Sequence, residues 1–250
     1  MKKIILALCC IVTLFLTGCF ENTQEITLNE DGSGTLNNSN DMSALIGLVK
    51  QMGAGAELDK APQQNIDSVI SLEKGADSIS GLTPEEREIA RKGKLGIKAN
   101  LKEEKFKTSL VFSFSSPSQV SGLNKLTNKI LADVMKDKLA EGAPMADQMP
   151  EMSSIDDYYK LEFSNGELTK KVDKDKYSNL GSDEYLKGMK EAASMGLVMK
   201  ANYVFNLPRP ATKAEGKNVK LSEDKKKVTI TATLDDFFDD PSALEFKIKY

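Results

Sequence analysis

The sequence predicts an α+β protein: an antiparallel β-sheet built from hairpins, with helices on one face. Two observations carry this. The order strand–strand–helix recurs three times along the chain, and the C-terminal stretch holds four further short strands separated by turn signals. The three units share no visible sequence repeat.

In the first unit, Gln24 to Leu28 alternates, Glu30-Asp31-Gly32-Ser33-Gly34 makes a turn, and Thr35 to Asn40 returns as a second strand. Asp41-Met42-Ser43 then precedes Leu45, Ile46, Val49 and Met52, which keep helical spacing until Gly53. Gly53 to Asn65 is rich in Gly, Ala, Pro and Gln and reads as a loop, and Ile66 to Ile79 reads as a short helix. Thr83-Pro84-Glu85-Glu86 opens a helix that ends near Gly93: threonine caps, proline takes the first turn and glutamate follows three residues on.

The second unit pairs Leu95–Leu101 with Phe106–Phe114 around Lys102-Glu103-Glu104-Lys105, placing Leu110, Phe112 and Phe114 on one face. Ser116-Pro117 begins the longest helix, with Val120, Leu123, Ile130, Val134 and Leu139 as its apolar stripe. In the third, Tyr158–Phe163 and Glu167–Val172 flank Ser164-Asn165-Gly166, a strong hairpin signal, and Ser182 precedes a helix carrying Tyr185, Leu186 and Met189. Val198–Leu207, Lys217–Leu221, Val228–Leu234 and Leu244–Tyr250 complete the strands, the second and third pairing across Ser222-Glu223-Asp224-Lys225.

The amino terminus has its own logic. Lys2 and Lys3 precede a mostly apolar run from Ile4 to Leu16. As a helix that run is about 20 Å long, against a hydrocarbon core of about 30 Å, so it reads as the apolar part of a secretory signal. Leu16-Thr17-Gly18-Cys19 resembles the lipobox of bacterial lipoproteins. That resemblance implies cleavage after Gly18 and acylation of Cys19, making residues 1–18 a signal peptide, 19–24 an acylated tether and 25–250 one domain. It also implies, with Phe20 after the cysteine, the outer membrane, on its periplasmic face or, with Glu21 as the acidic residue that surface export would use, on the cell surface. Two or three acyl chains on Cys19 would make release negligible, because each buried methylene contributes about 0.8 kcal/mol.

Composition excludes whole classes. The chain has no histidine and no tryptophan, which removes most nucleophile-activating arrangements and every histidine-ligated metal site. Loss of the signal takes Lys2 and Lys3 and moves the net charge from −3 to −5, and no basic stripe offers a nucleic-acid surface. Cys9 and Cys10 leave with the signal, so with Cys19 acylated no disulfide forms and the core alone must stabilise the fold.

Asp31-Gly32-Ser33-Gly34 and Asn206-Leu207-Pro208 are similar to features of the LppM-type lipoprotein domain. These are a strand, turn and short helix directly after an acylated cysteine, and a Leu-Pro strand end before a final hairpin. The resemblance implies a fold class and no activity.

Four groups of residues invite chemistry. Ser71-Leu72-Glu73-Lys74 fits the Ser-x-x-Lys pattern of penicillin-recognising enzymes, but its companion Lys-Thr-Gly is missing, with Lys107-Thr108-Ser109 the nearest approach, and Ser222 with Lys225 repeats the spacing. Met145, Met149 and Met152 offer thioethers to Cu(I), although two flanking prolines and the absence of histidine favour methionine as core filler. Asp235, Asp236, Asp239 and Asp240 crowd around Phe237 and Phe238 without the spacing of a calcium loop, and read as a solvated acidic turn. Adjacent Asp156 and Asp157 point to opposite faces of a strand and make no acid–base pair. The expectation is a lipid-anchored envelope protein that binds or scaffolds without catalysis and without a cofactor. Its partners would be the membrane, through the lipid on Cys19, and an envelope protein, lipid or glycan. The competing expectation is a histidine-independent hydrolase or transferase using serine–lysine or carboxylate chemistry.

Overall fold

A computed structural model describes residues 19–50, 65–140, 153–194 and 196–250. The first hairpin explains its own turn. β1 (Cys19–Leu28) and β2 (Gly34–Asp41) pair antiparallel from Glu21 opposite Asp41 to Leu28 opposite Gly34. Gly32 sits at φ +84°, where a Cβ is strained, and the Asp31 carboxylate accepts from the Ser33 backbone N–H and hydroxyl. Gly34 meets a different need: a Cβ there would lie 2.1 Å from the Thr27 carbonyl oxygen and 2.5 Å from the Phe114 ring. One glycine serves the turn, the other the packing.

α1 (Ser43–Val49) follows the hairpin. The second unit has β4 (Lys94–Asn100) and β5 (Lys105–Phe114), after α2 (Pro84–Ala90), whose Thr83 and Glu86 complete a capping box. Leu110, Phe112 and Phe114 are all buried, as their spacing predicts. One 3₁₀ turn at Pro117–Gln119 leads into α3 (Val120–Ala140), which buries Val120, Leu123, Leu126 and Ile130. The third unit has β6 (Tyr159–Ser164), β7 (Glu167–Val172), a short α4 (Lys174–Tyr177) and α5 (Glu184–Ser194). Asp183, one residue beyond the expected Ser182, caps α5 by accepting from the Leu186 N–H. The chain ends with β8 (Val198–Asn206), β9 (Lys213–Glu215), β10 (Val219–Leu221), β11 (Lys227–Thr233), α6 (Leu234–Asp239) and β12 (Phe246–Lys249).

The molecule is α+β, but its described strands form two sheets where the sequence predicted one. The larger runs β10-β11-β8-β1-β2-β5-β4-β3, with β3 spanning Asn65–Ser71, and the smaller runs β6-β7-β12-β9. The third hairpin carries its own apolar row, and burial of that row against the larger sheet is what splits it away. Phe163 of β6 and Phe246 of β12 meet Phe205 of β8 edge-on, with ring centroids 5.9 and 5.0 Å apart. So the inner face of the large sheet is covered at one end by the small sheet and elsewhere by helices.

Two further expectations are corrected. Residues 66–79 are not a helix: β3 pairs with β4, and a 3₁₀ turn follows at Ala76–Ser78. As an edge strand exposed along most of its length, β3 has no buried face to impose alternation on its sequence. Residues 19–24 are not a tether. β1 starts at Cys19 and pairs parallel with β8 from Cys19 opposite Val198 to Thr27 opposite Asn206. Its first residues hid from a periodicity argument because their inward side chains are polar. The loop predicted at Gly53–Asn65 lies outside the described residues, apart from Asn65, which begins β3.

The inner face of the large sheet changes character along the strands. At one end stand Ile26, Leu36, Phe112 and Phe205, all buried. Two residues along are Gln24, Asn38, Leu110 and Tyr203, and two further Asn22, Asn40, Thr108 and Ala201. An apolar floor gives way to an amide floor, and there a cleft opens.

Candidate functional site

A buried ion pair underlies that cleft. Lys170 Nζ lies 2.5 Å from Asp156 Oδ1, with the lysine side chain 0% exposed and the aspartate 11%. Lys170 comes from β7, on the same face as Leu168 and Val172, an otherwise apolar row. Its ammonium stands 3.8 Å from the Tyr203 ring centroid and 4.4 Å from that of Tyr159, so aromatic faces replace part of its lost hydration.

Asp156 is delivered by a 3₁₀ turn, Ile155–Tyr158, and not by a strand as its sequence predicted. Asp157 stays at the turn's start, where its carboxylate accepts the Ser154 N–H, while Ser154 Oγ accepts the Asp156 N–H. Asp156 thereby turns inward. Its Oδ1 accepts from Lys170 and from the Tyr203 hydroxyl at 2.7 Å; its Oδ2 accepts from Gln24 Nε2 at 3.2 Å and Asn124 Nδ2 at 3.4 Å. Four donors fill the four acceptor positions of a carboxylate. Burial pushes the carboxyl upward, but Lys170 and these hydrogen bonds outweigh it and hold Asp156 below its ordinary range. Burial lowers Lys170, against the pull of Asp156, and raises the Tyr203 hydroxyl well above its ordinary value, with Asp156 adding to the rise.

Above the pair lies a cleft of about 140 Å³ between β1, β2, β8, α3 and α5. That is close to the ~150 Å³ of an engineered cavity that holds benzene, so one ring-sized group fits. One wall is amide: Asn22, Gln24, Asn38, Asn40, Asn124 and Asn128. These partly satisfy one another, Asn22 donating to Asn40 at 2.8 Å and Asn38 to Thr127 Oγ1 at 3.0 Å. Leu131, Leu186 and Met189 add apolar surface to the lining, and Lys200 a cation.

The residues singled out by sequence lie elsewhere. Ser71 ends β3 at the surface, its hydroxyl accepting the Glu73 N–H at 3.3 Å, and Lys74 is exposed beside it. Ser222 Oγ is spent within its turn, donating to Asp224 and accepting from the Lys227 N–H, and Lys225 sits at φ +55° in that turn. The acidic run is a capped helix and not a turn. Thr233 and Asp236 bond reciprocally at the start of α6, Asp235 is exposed, Asp240 holds Lys217 and Phe237 is buried below. Thr233 gave the signal for that helix: a threonine followed three residues later by a carboxylate. Among the described residues no group of three or more carboxylate or thiol side chains could hold a metal ion. Met145, Met149 and Met152 lie outside the described residues. Lys170 was readable in principle, as the one charge between Leu168 and Val172 in a two-residue alternation. Its partner was not.

Fold and site together define an α+β protein with an amide-walled cleft set over a saturated ion pair. No family model matches the sequence, and no curated protein does. Among solved structures the chain is similar to the folded domain of LppM from Mycobacterium tuberculosis, with 10% identity and a TM-score of 0.40 over 95% of this chain and 94% of that one. Among the described residues no helix is long and apolar enough to cross a membrane.

Proposed function

We propose that this chain is a lipid-anchored protein of the bacterial envelope, acylated at Cys19, that works by binding a small uncharged group in the cleft over Asp156. The observation that carries the binding reading is the state of that carboxylate. With Lys170, Tyr203, Gln24 and Asn124 all donating to it, Asp156 has no free lone pair to take a proton from a substrate. Its part is to hold Gln24 and Asn124 in place as the floor of an amide surface. Amides and aliphatic groups lining one cleft match a ligand that has both hydrogen-bonding groups and an apolar face. An envelope lipid or glycan has both; an envelope protein would have to insert a side chain. Nucleic acid and catalysis have no part in this reading, and the outer membrane, on its periplasmic face, is its proposed location.

Two measurements test it. Metabolic labelling with a fatty acid marks the wild type and not Cys19→Ser, which stays uncleaved; equal label in both sinks the anchor. Native mass spectrometry of detergent-solubilised protein shows a bound small molecule in the wild type that Asn128→Trp, which fills the cleft, no longer carries. No bound molecule in either protein sinks the cleft.

A further inference from the structure

We infer that the end of the large sheet where β1 begins rests directly on the lipid bilayer, with no tether between anchor and fold. The inference depends on acylation of Cys19 and adds to it an orientation. Cys19 is already a paired residue, opposite Val198 of β8, and Glu21 is paired on its other side with Asp41 of β2. A strand held by neighbours on both edges has no slack. Acyl chains on its first residue must therefore draw the end of a central strand to the bilayer surface, and the fold with it.

The surface at that end suits the contact. Val198, the parallel partner of Cys19, is 37% exposed. α1, which packs beside β1 and β5 at the same end, reads Ser-Ala-Leu-Ile-Gly-Leu-Val without a charge, and Ala44 and Ile46 on it are only half-buried. Among the described residues the charges flanking α1 fall in pairs, Asp41 with Lys107, Lys50 with Glu104 and Lys105 with Glu103. The far end of β1, by contrast, is the turn Glu30-Asp31, roughly 30 Å away at about 3.4 Å per residue. The cleft lining reaches Phe20, the residue next to Cys19. In this orientation the amide wall lies beside the lipid headgroups, so the ligand comes from the membrane surface.

The absence of tryptophan makes the test direct. Full-length lipoprotein carrying Val198→Trp, or Glu223→Trp in the turn after β10 at the far end, is reconstituted into phosphatidylethanolamine–phosphatidylglycerol vesicles with and without acyl-brominated lipid. The expected result is several-fold stronger quenching by brominated lipid at position 198 than at 223, and little quenching by aqueous iodide at 198. Ile46→Trp in α1 gives the same comparison should the first variant fail to fold. The mass of Cys19 is measured on the same samples. Equal quenching at both ends, with Cys19 acylated, overturns the orientation and leaves the anchor standing. A reporter at 198 shielded from both bromine and iodide means that protein covers this end, and also overturns it. An unmodified Cys19 overturns the anchor and this inference together.

Discussion

Replacing Lys170 with methionine tests the core of the site. The change keeps most of the apolar stem and removes the ammonium, with its charge and its hydrogen bond, from a position 0% exposed, leaving Asp156 buried with three neutral donors. Removing one member of a buried ion pair costs about 3–5 kcal/mol, mostly because the surviving charge is stranded. For a chain of this size each kcal/mol lowers the melting temperature by roughly 2–4 °C, so the loss is about 6–20 °C. Asp156→Asn added to Lys170→Met removes the stranded charge as well, and the double variant recovers most of the loss. The assay is thermal and urea unfolding of residues 19–250 carrying Cys19→Ser.

The pH dependence supplies an independent check. In the wild type the folded pKa of Asp156 is depressed. Its contribution is therefore present above the unfolded value of about 3.9 and is lost as pH falls through the lower folded value. In Lys170→Met, burial without a cation raises the folded pKa above the unfolded one, so destabilisation present at neutral pH is relieved as pH falls. The gap between the two proteins narrows from pH 7 towards pH 4. A loss under about 2 °C, or a gap that does not change with pH, would refute the account of Lys170 and Asp156 as a buried, mutually dependent pair.

Three further outcomes follow from the fold. Gly34→Ala drives a Cβ against the Thr27 carbonyl and the Phe114 ring and lowers stability by about 1–3 kcal/mol in urea titrations, whereas a neutral effect would mean that β1 and β2 relax freely there. Thr83→Ala removes the cap of α2 and costs about 1 kcal/mol, read from the same titrations. Asp239→Asn with Asp240→Asn leaves the melting temperature unchanged or slightly altered, and neither that variant nor the wild type responds to calcium or chelator; a calcium-dependent rise in the wild type alone contradicts the reading of α6 as a capped helix without metal.

By itself the sequence determined what a few adjacent residues can decide. The turns at Asp31-Gly32-Ser33-Gly34 and Asn165-Gly166, the capping box at Thr83 and the buried row Leu110, Phe112 and Phe114 stand as their local chemistry requires, because backbone sterics, caps and two-residue alternation act within one element. That locality made the α+β class legible. Tertiary structure decided what depends on partners far along the chain. β3 is a strand because β4 offers it an edge, and Cys19 lies in a central strand because β8, some 180 residues later, runs parallel to it. A polar side chain carries no mark of burial of its own: Gln24 and Asn38 are buried because α3 and a 3₁₀ turn close over them. Asp156 and Lys170 are charges that nothing nearby in sequence requires to meet. They share a site because the 3₁₀ turn before β6 aims Asp156 at Lys170 of β7, where each offsets much of the other's cost of staying ionised out of water.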